Sequence, residues 1–148
     1  MTISATAAAK KICELGDWQV TNLQLQKILY LAHMVFLGNN NGKPLIGSSF
    51  EAWDYGPVVP ELYHDAKKYG SKPIRMGFHS LQNISGTPEE AEIERACSSL
   101  LAKSASRLVD FTHRPGGAWD KNYVPGARGV IIPNQDILDE YRKLSSDR

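Results

Sequence analysis

The run TNLQLQKILYLAHMVFLG, from Thr21 to Gly38, limits the folds open to this chain more than any other stretch. Thr21 stands where an N-cap would, and Gln24 three residues on completes a capping box. Leu25, Ile28, Leu29, Ala32, Val35 and Phe36 recur at helical spacing, and Leu31, Met34 and Leu37 widen the stripe until little of the last three turns is polar. A helix apolar almost all round belongs inside a core, with other elements wrapped around it. At 1.5 Å per residue it spans roughly 25 Å, close to the width of a small domain. Gln26, Lys27 and His33 interrupt the apolar run, which argues against a membrane span. Gly38, followed by three asparagines, supplies the expected C-terminal stop.

The rest of the chain is expected to pack on this helix. Its 148 residues suit a single domain, 1–148, with one substantial core. A composition 42% hydrophobic and 22% charged excludes disorder, collagen-like repeats and disulfide-dense scaffolds. A formal net charge of +1 provides no global field for nucleic acid or anionic lipid, so nucleic acid is not the expected partner. Cys13 and Cys97 fall on apolar faces of predicted helices with no CxxC spacing, as small buried hydrophobes do. The N-terminus lacks the basic-then-apolar layout of a signal peptide, and a reducing cytoplasm is the default compartment.

In chain order, the spacing predicts a first helix over 4–15 and a strand over 48–55, in which Phe50 and Ala52 share one face. Gly56-Pro57 breaks that strand, and the pattern predicts a helix from Pro57 to Tyr69. Residues 71–86 fit either short strands or an ordered loop. Thr87-Pro88-Glu89-Glu90 is the sharpest helix start in the chain, with a helix to about Lys103 and a second from Ala105 to His113. Ala118 to Gly126 is expected to be irregular. Gly129-Val130-Ile131-Ile132 has a strand signature, and its natural partner is the strand near 50–53. Asn134 is placed to cap a last helix bearing Ile137, Leu138, Tyr141 and Leu144 on one face. The expected architecture is mainly α (α+β): about six helices around a buried central helix, residues 21–38, with a small antiparallel sheet.

Signs of catalysis are few. His33, His64, His79 and His113 lie on different elements and form no metal-ligand spacing, so no metal or cofactor is expected. The phosphate-loop likeness at Gly38 and Gly42-Lys43 fails, because the spacing is one residue short and Pro44 replaces the magnesium-binding hydroxyl. His64-Asp65 and Asp110…His113 are acid–imidazole pairs without a recognisable nucleophile beside them. More informative are Trp53, Asp54, Tyr55, Gly56, Pro57 and Tyr63, gathered across one turn, with Trp119 and Tyr123 from another loop. Aromatics on rigid turns serve partner recognition, and they also fill gaps between sheet and helices.

The order of these motifs resembles the Panacea domain of the SocA-like antitoxin family. Leu25-Gln26-Lys27-Ile28-Leu29-Tyr30 is similar to its LQKLLY helix, and Phe50-Glu51-Ala52-Trp53 with Tyr55-Gly56-Pro57-Val58 to its feAW.yGPV segment. Leu108, Thr112-His113 and Trp119 resemble its third block, and the resemblance runs over about residues 5–142. It implies a cytoplasmic, helical antitoxin, often phage- or plasmid-associated. Such a protein neutralises a cognate toxin by direct protein–protein binding, or as an adaptor delivers it to a AAA+ protease. No enzymatic activity is implied. The residues that carry the resemblance, Gln26, Lys27, Tyr30, Trp53, Tyr55, Gly56, Pro57, Tyr63, His113 and Trp119, are either scaffold or a shared inhibitory pocket. If Gln26 and Lys27 are buried, they are expected to bond to the turn at Asp54 to Gly56, because an unpaired buried amide or ammonium is costly.

Overall fold

The capping box forms as expected: Thr21 Oγ1 accepts from the Gln24 N–H (3.2 Å), and Gln24 Oε1 accepts from the Thr21 N–H (3.0 Å). This comes from a computed structural model that describes residues 2–75 and 77–146. Met76, inside the stretch the sequence leaves open, lies outside the described residues. The capped helix, α2 (Asn22–Asn39), follows α1 (Ala5–Leu15) and is surrounded by α4 (Pro88–Leu100), α5 (Ala105–Thr112) and α7 (Asn134–Ser146). Leu25, Ile28, Leu29, Ala32 and Leu37 are wholly buried, as the apolar stripe requires.

α2 does not stop at Gly38. It runs to Asn39, and the chain turns at Asn41 and Gly42, which hold φ of +54° and +82°. Gly38 is there for packing: a Cβ on it would lie 2.1 Å from the Tyr141 ring of α7.

The sheet has three antiparallel strands in the order β2-β1-β3. β1 (Phe50–Trp53) and its pairing with the segment near 131 match expectation. Phe50 faces Ile132 and Glu51 faces Ile131 in β3 (Ile131–Ile132), and the Ala52 N–H reaches Val130 O at 2.9 Å. Gly56, Pro57 and Val58, however, are not the start of a helix. They form β2 (Gly56–Val58), folded back on β1 with Trp53 opposite Gly56, so that Asp54 and Tyr55 make a two-residue turn. α3 (Pro60–Ala66) begins only at the second proline, and a 3-10 turn, Lys67–Tyr69, follows it. Pro57 is compatible with a strand because β2 is an edge and the missing N–H points away from β1.

Two further departures concern the C-terminal third. Ala118–Asn122 is a short helix, α6, rather than irregular chain, which brings the α-helices among the described residues to seven. Asn134 opens α7, but its side chain is engaged elsewhere: His33 Nε2–H donates to Asn134 Oδ1 at 2.9 Å. Residues 71–86 form an ordered loop with no helix or strand among those described. Buried Ile74, Phe78 and Ile84 hold it to the core, and the Ile74 N–H bonds Val20 O at 2.8 Å. Cys13 and Cys97 are free and buried, and burial pushes both thiols up to about 12, which leaves them unreactive.

Candidate functional site

An edge strand leaves half of its backbone groups without a neighbouring strand. On β2 those groups meet side chains of α2 instead. Lys27 Nζ donates to Pro57 O at 2.6 Å, and Gln26 Oε1 accepts from the Val59 N–H at 2.9 Å. Gln26 Nε2 donates to Asn22 Oδ1 at 3.2 Å. Two adjacent helix residues thus stand in for a fourth strand. The contact falls on Pro57 and Val59, just past the Asp54–Gly56 turn where the sequence put it, because the turn itself is taken up by the hairpin. Gln26 and Lys27 are 1% and 0% exposed. Tyr30, one turn further along α2, is also fully buried. Its hydroxyl donates to Glu140 Oε1 (3.2 Å), and the same oxygen accepts from the Ala118 N–H (3.0 Å).

Burial in an apolar setting lowers the Lys27 ammonium to about 7, from an ordinary 10.5. A lysine depressed in the folded state binds fewer protons there than in the unfolded chain between those two values. Its contribution to stability is therefore full above pH 10.5 and is lost as pH falls toward 7. Thermal stability of the wild type is expected to rise from pH 7 to pH 9, by at most about 1.4 kcal/mol per pH unit, the limit for one proton. Above pH 9 the two buried cysteines oppose it. Lys27→Met should abolish that rise in melting curves followed by circular dichroism. An unchanged slope in the variant would place its origin elsewhere.

Around this buried centre the remaining predicted residues converge. Gly56, at φ +105°, sits so close that a Cβ would lie 3.0 Å from Lys27 Cε and 3.1 Å from both His113 Nε2 and Thr112 Oγ1. His113 stacks flat on Trp119 (centroids 3.9 Å apart, 12° between planes), and Trp119 stacks on Tyr123 at 4.5 Å. Trp119 Nε1–H donates to Trp53 O at 2.7 Å, and the Tyr123 hydroxyl donates to Asp54 Oδ1, so α6 clamps the hairpin at both its flank and its tip. Trp53 also meets Tyr63 edge-on at 4.8 Å. Tyr55 projects from the turn and is 69% exposed.

The eleven candidates therefore divide into two shells. Gln26, Lys27, Tyr30, Gly56 and Pro57 are interior, where they tie α2 to the sheet. Trp53, Asp54, Tyr55 and Tyr63 border solvent, with His113 and Trp119 between the two. Glu140 was missed by sequence reasoning, although a signal existed: it lies three residues after Ile137 and four before Leu144, on the apolar stripe of α7. Chemically the arrangement is poor in activated groups. His113 Nε2 is buried without a partner, and the adjacent Thr112 hydroxyl donates to Val109 O (2.9 Å) rather than to it. Burial, with the nearby Lys27 charge, holds the imidazole of His113 below its usual range. Among the described residues no cluster of His, Cys, Asp or Glu could hold a metal, and no helix is long and apolar enough to cross a membrane.

The sequence matches those of known proteins. The family model for "Antitoxin SocA-like, Panacea domain" matches residues 25–120, from the start of the α2 motif to the clamp at α6. Antitoxin SocA of Caulobacter vibrioides (strain NA1000 / CB15N) is 38% identical over 140 residues, an alignment that covers 85% of this chain and 74% of the relative. No solved structure matches the chain.

Proposed function

Since the chain belongs to the SocA-like antitoxin family, with its Panacea domain, we propose that it neutralises a cognate toxin by binding it directly, in the cytoplasm and without an enzymatic step. The observation that supports this most is the hairpin tip. Tyr55 stands 69% exposed on a two-residue turn, and the turn is fixed by the Trp119–Trp53 and Tyr123–Asp54 hydrogen bonds. A large amphipathic ring already held in place loses little entropy on binding, which is the property of an interface anchor. Trp53, Tyr63 and half-exposed Ile131 extend the same surface across the outer face of the sheet.

Co-expression with the product of the small reading frame beside its gene tests the proposal. The wild type is expected to rescue growth and to co-purify with that product. Tyr55→Ala, with an unchanged melting temperature, is expected to weaken binding at least tenfold, on the order of 1.4 kcal/mol or more. A neighbour that is harmless alone, or that stays toxic beside the wild type, would sink the reading. Toxin half-life separates the two mechanisms. Rescue at unchanged half-life is blocking by binding, whereas a shortened half-life would mean delivery to a AAA+ protease.

A further inference from the structure

The central helix is not covered all round. Leu31 and Val35, one turn apart on α2, are only half-buried and floor an open trough of about 510 Å³, walled by Ala96 and Leu100 of α4 and Phe111 of α5. The trough follows α2 from Leu31 to Asn39, roughly 12 Å or two helical turns. None of the residues lining it belongs to the hairpin or to α6. Its rim is cationic. Arg95 and Arg114 line it, and Arg107, outside the lining itself, sits over the lining residue Phe111 at 5.6 Å from the ring centroid. The carboxylate lining it, Glu92, is 4% exposed and paired to Arg95 at 2.9 Å. Among the described residues Arg107 and Arg114 have no ion-pair partner.

We propose that this trough is a second docking site on the antitoxin, and that its occupant is an amphipathic acidic helix of the toxin. The proposal rests on the antitoxin reading above. An apolar strip two turns long accepts side chains spaced i, i+3, i+4 and i+7 from a helix laid in the groove. Unpaired arginines along its rim favour a partner with Asp or Glu flanking that stripe, because charge complementarity fixes register and speeds encounter. A second copy of this chain is the competing occupant.

The experiment titrates the purified product of the neighbouring reading frame into three proteins: the wild type, Arg107→Glu and Ala96→Trp. The first variant reverses an exposed charge and the second fills the trough. Melting temperatures confirm that each is folded, and the exposed Arg107 variant keeps the test valid if the bulkier one fails to fold. Each folded variant is expected to raise Kd at least tenfold. Wild-type affinity should fall as salt is raised, and Arg107→Glu should flatten that dependence. Replacing an acidic residue of the toxin helix by Lys should restore binding to Arg107→Glu. Folded variants that bind as tightly as the wild type would overturn the docking site while leaving the antitoxin reading intact. A change in the protein's own sedimentation at unchanged toxin affinity would assign the trough to a second copy, which also overturns the proposal. A wild type that neither binds nor rescues removes both readings together.

Discussion

Gly56→Ala is expected to unfold in urea far earlier than the wild type, with a loss of about 2–5 kcal/mol. Two costs combine. At φ +105° an L side chain is strained by its own backbone, on the order of 1–3 kcal/mol. The new methyl would then meet Lys27 Cε at 3.0 Å and His113 Nε2 and Thr112 Oγ1 at 3.1 Å. Lys27 cannot swing aside without giving up Pro57 O, and His113 is held against the Trp119 ring. Gly126→Ala is the control, because Gly126 also has positive φ (+78°) but nothing within 4 Å of the added carbon. It should show the strain alone, about 1 kcal/mol. If the two variants unfold at the same urea concentration, the crowding at the Lys27 centre is not what demands glycine at 56. Because 5–15 kcal/mol is the usual whole stability of a domain, Gly56→Ala is also expected to lose rescue in the co-expression assay.

How far the sequence alone leads depends on the kind of signal at each position. The capping box at Thr21, the stripe of α2 and the Thr87-Pro88 start of α4 are local patterns. All three form, although Leu31 and Val35 of the α2 stripe stay half-buried and the Glu90 carboxylate accepts from the Gly86 N–H rather than from that of Thr87. The pairing of 50–53 with 131–132 followed from the need to satisfy a lone strand, and it too is observed. What failed were positions whose conformation is decided by distant contacts. Pro57 looks like a helix start until Lys27 Nζ is available to its carbonyl and makes an edge strand tenable. Asn134 looks like a cap until His33 is beneath it, and Ala118–Asn122 is too short to show a period. Trp53, Asp54, Tyr55, Gly56, Pro57, Tyr63 and Trp119 were legible as aromatics around a Gly-Pro turn, whereas Gln26, Lys27, Tyr30 and His113 entered only through the family resemblance. Their division into an interior set and a solvent-facing set was not legible, since burial of Gln26 and Lys27 depends on a strand edge 30 residues away.

Gly38 offers a second test in which local and tertiary rules predict opposite signs. By helix propensity alone, Gly38→Ala inside α2 should stabilise by about 1 kcal/mol. Tertiary packing says otherwise, because the added carbon would fall 2.1 Å from Tyr141 Cδ2 and Cε2 and 2.6 Å from Cγ. The ring must therefore move, and with it goes the Tyr141 hydroxyl bond to Asn39 Oδ1 (3.0 Å). Overpacking of this kind costs about 1–3 kcal/mol, so Gly38→Ala is expected to destabilise on balance. In a Tyr141→Ala background the obstruction is gone, and the same substitution should become stabilising, by up to about 1 kcal/mol. A double-mutant cycle in urea measures the coupling, and a sign change between backgrounds is the expected result. Glu140 precedes Tyr141 on α7 and accepts from the Tyr30 hydroxyl of α2 at 3.2 Å, a second link between the two helices. Pushing the helices apart should therefore also weaken the Tyr30–Glu140 bond, so Tyr30→Phe should destabilise less in Gly38→Ala than in the wild type. If Gly38→Ala is instead stabilising with Tyr141 in place, the close approach of the two helices does not constrain this position.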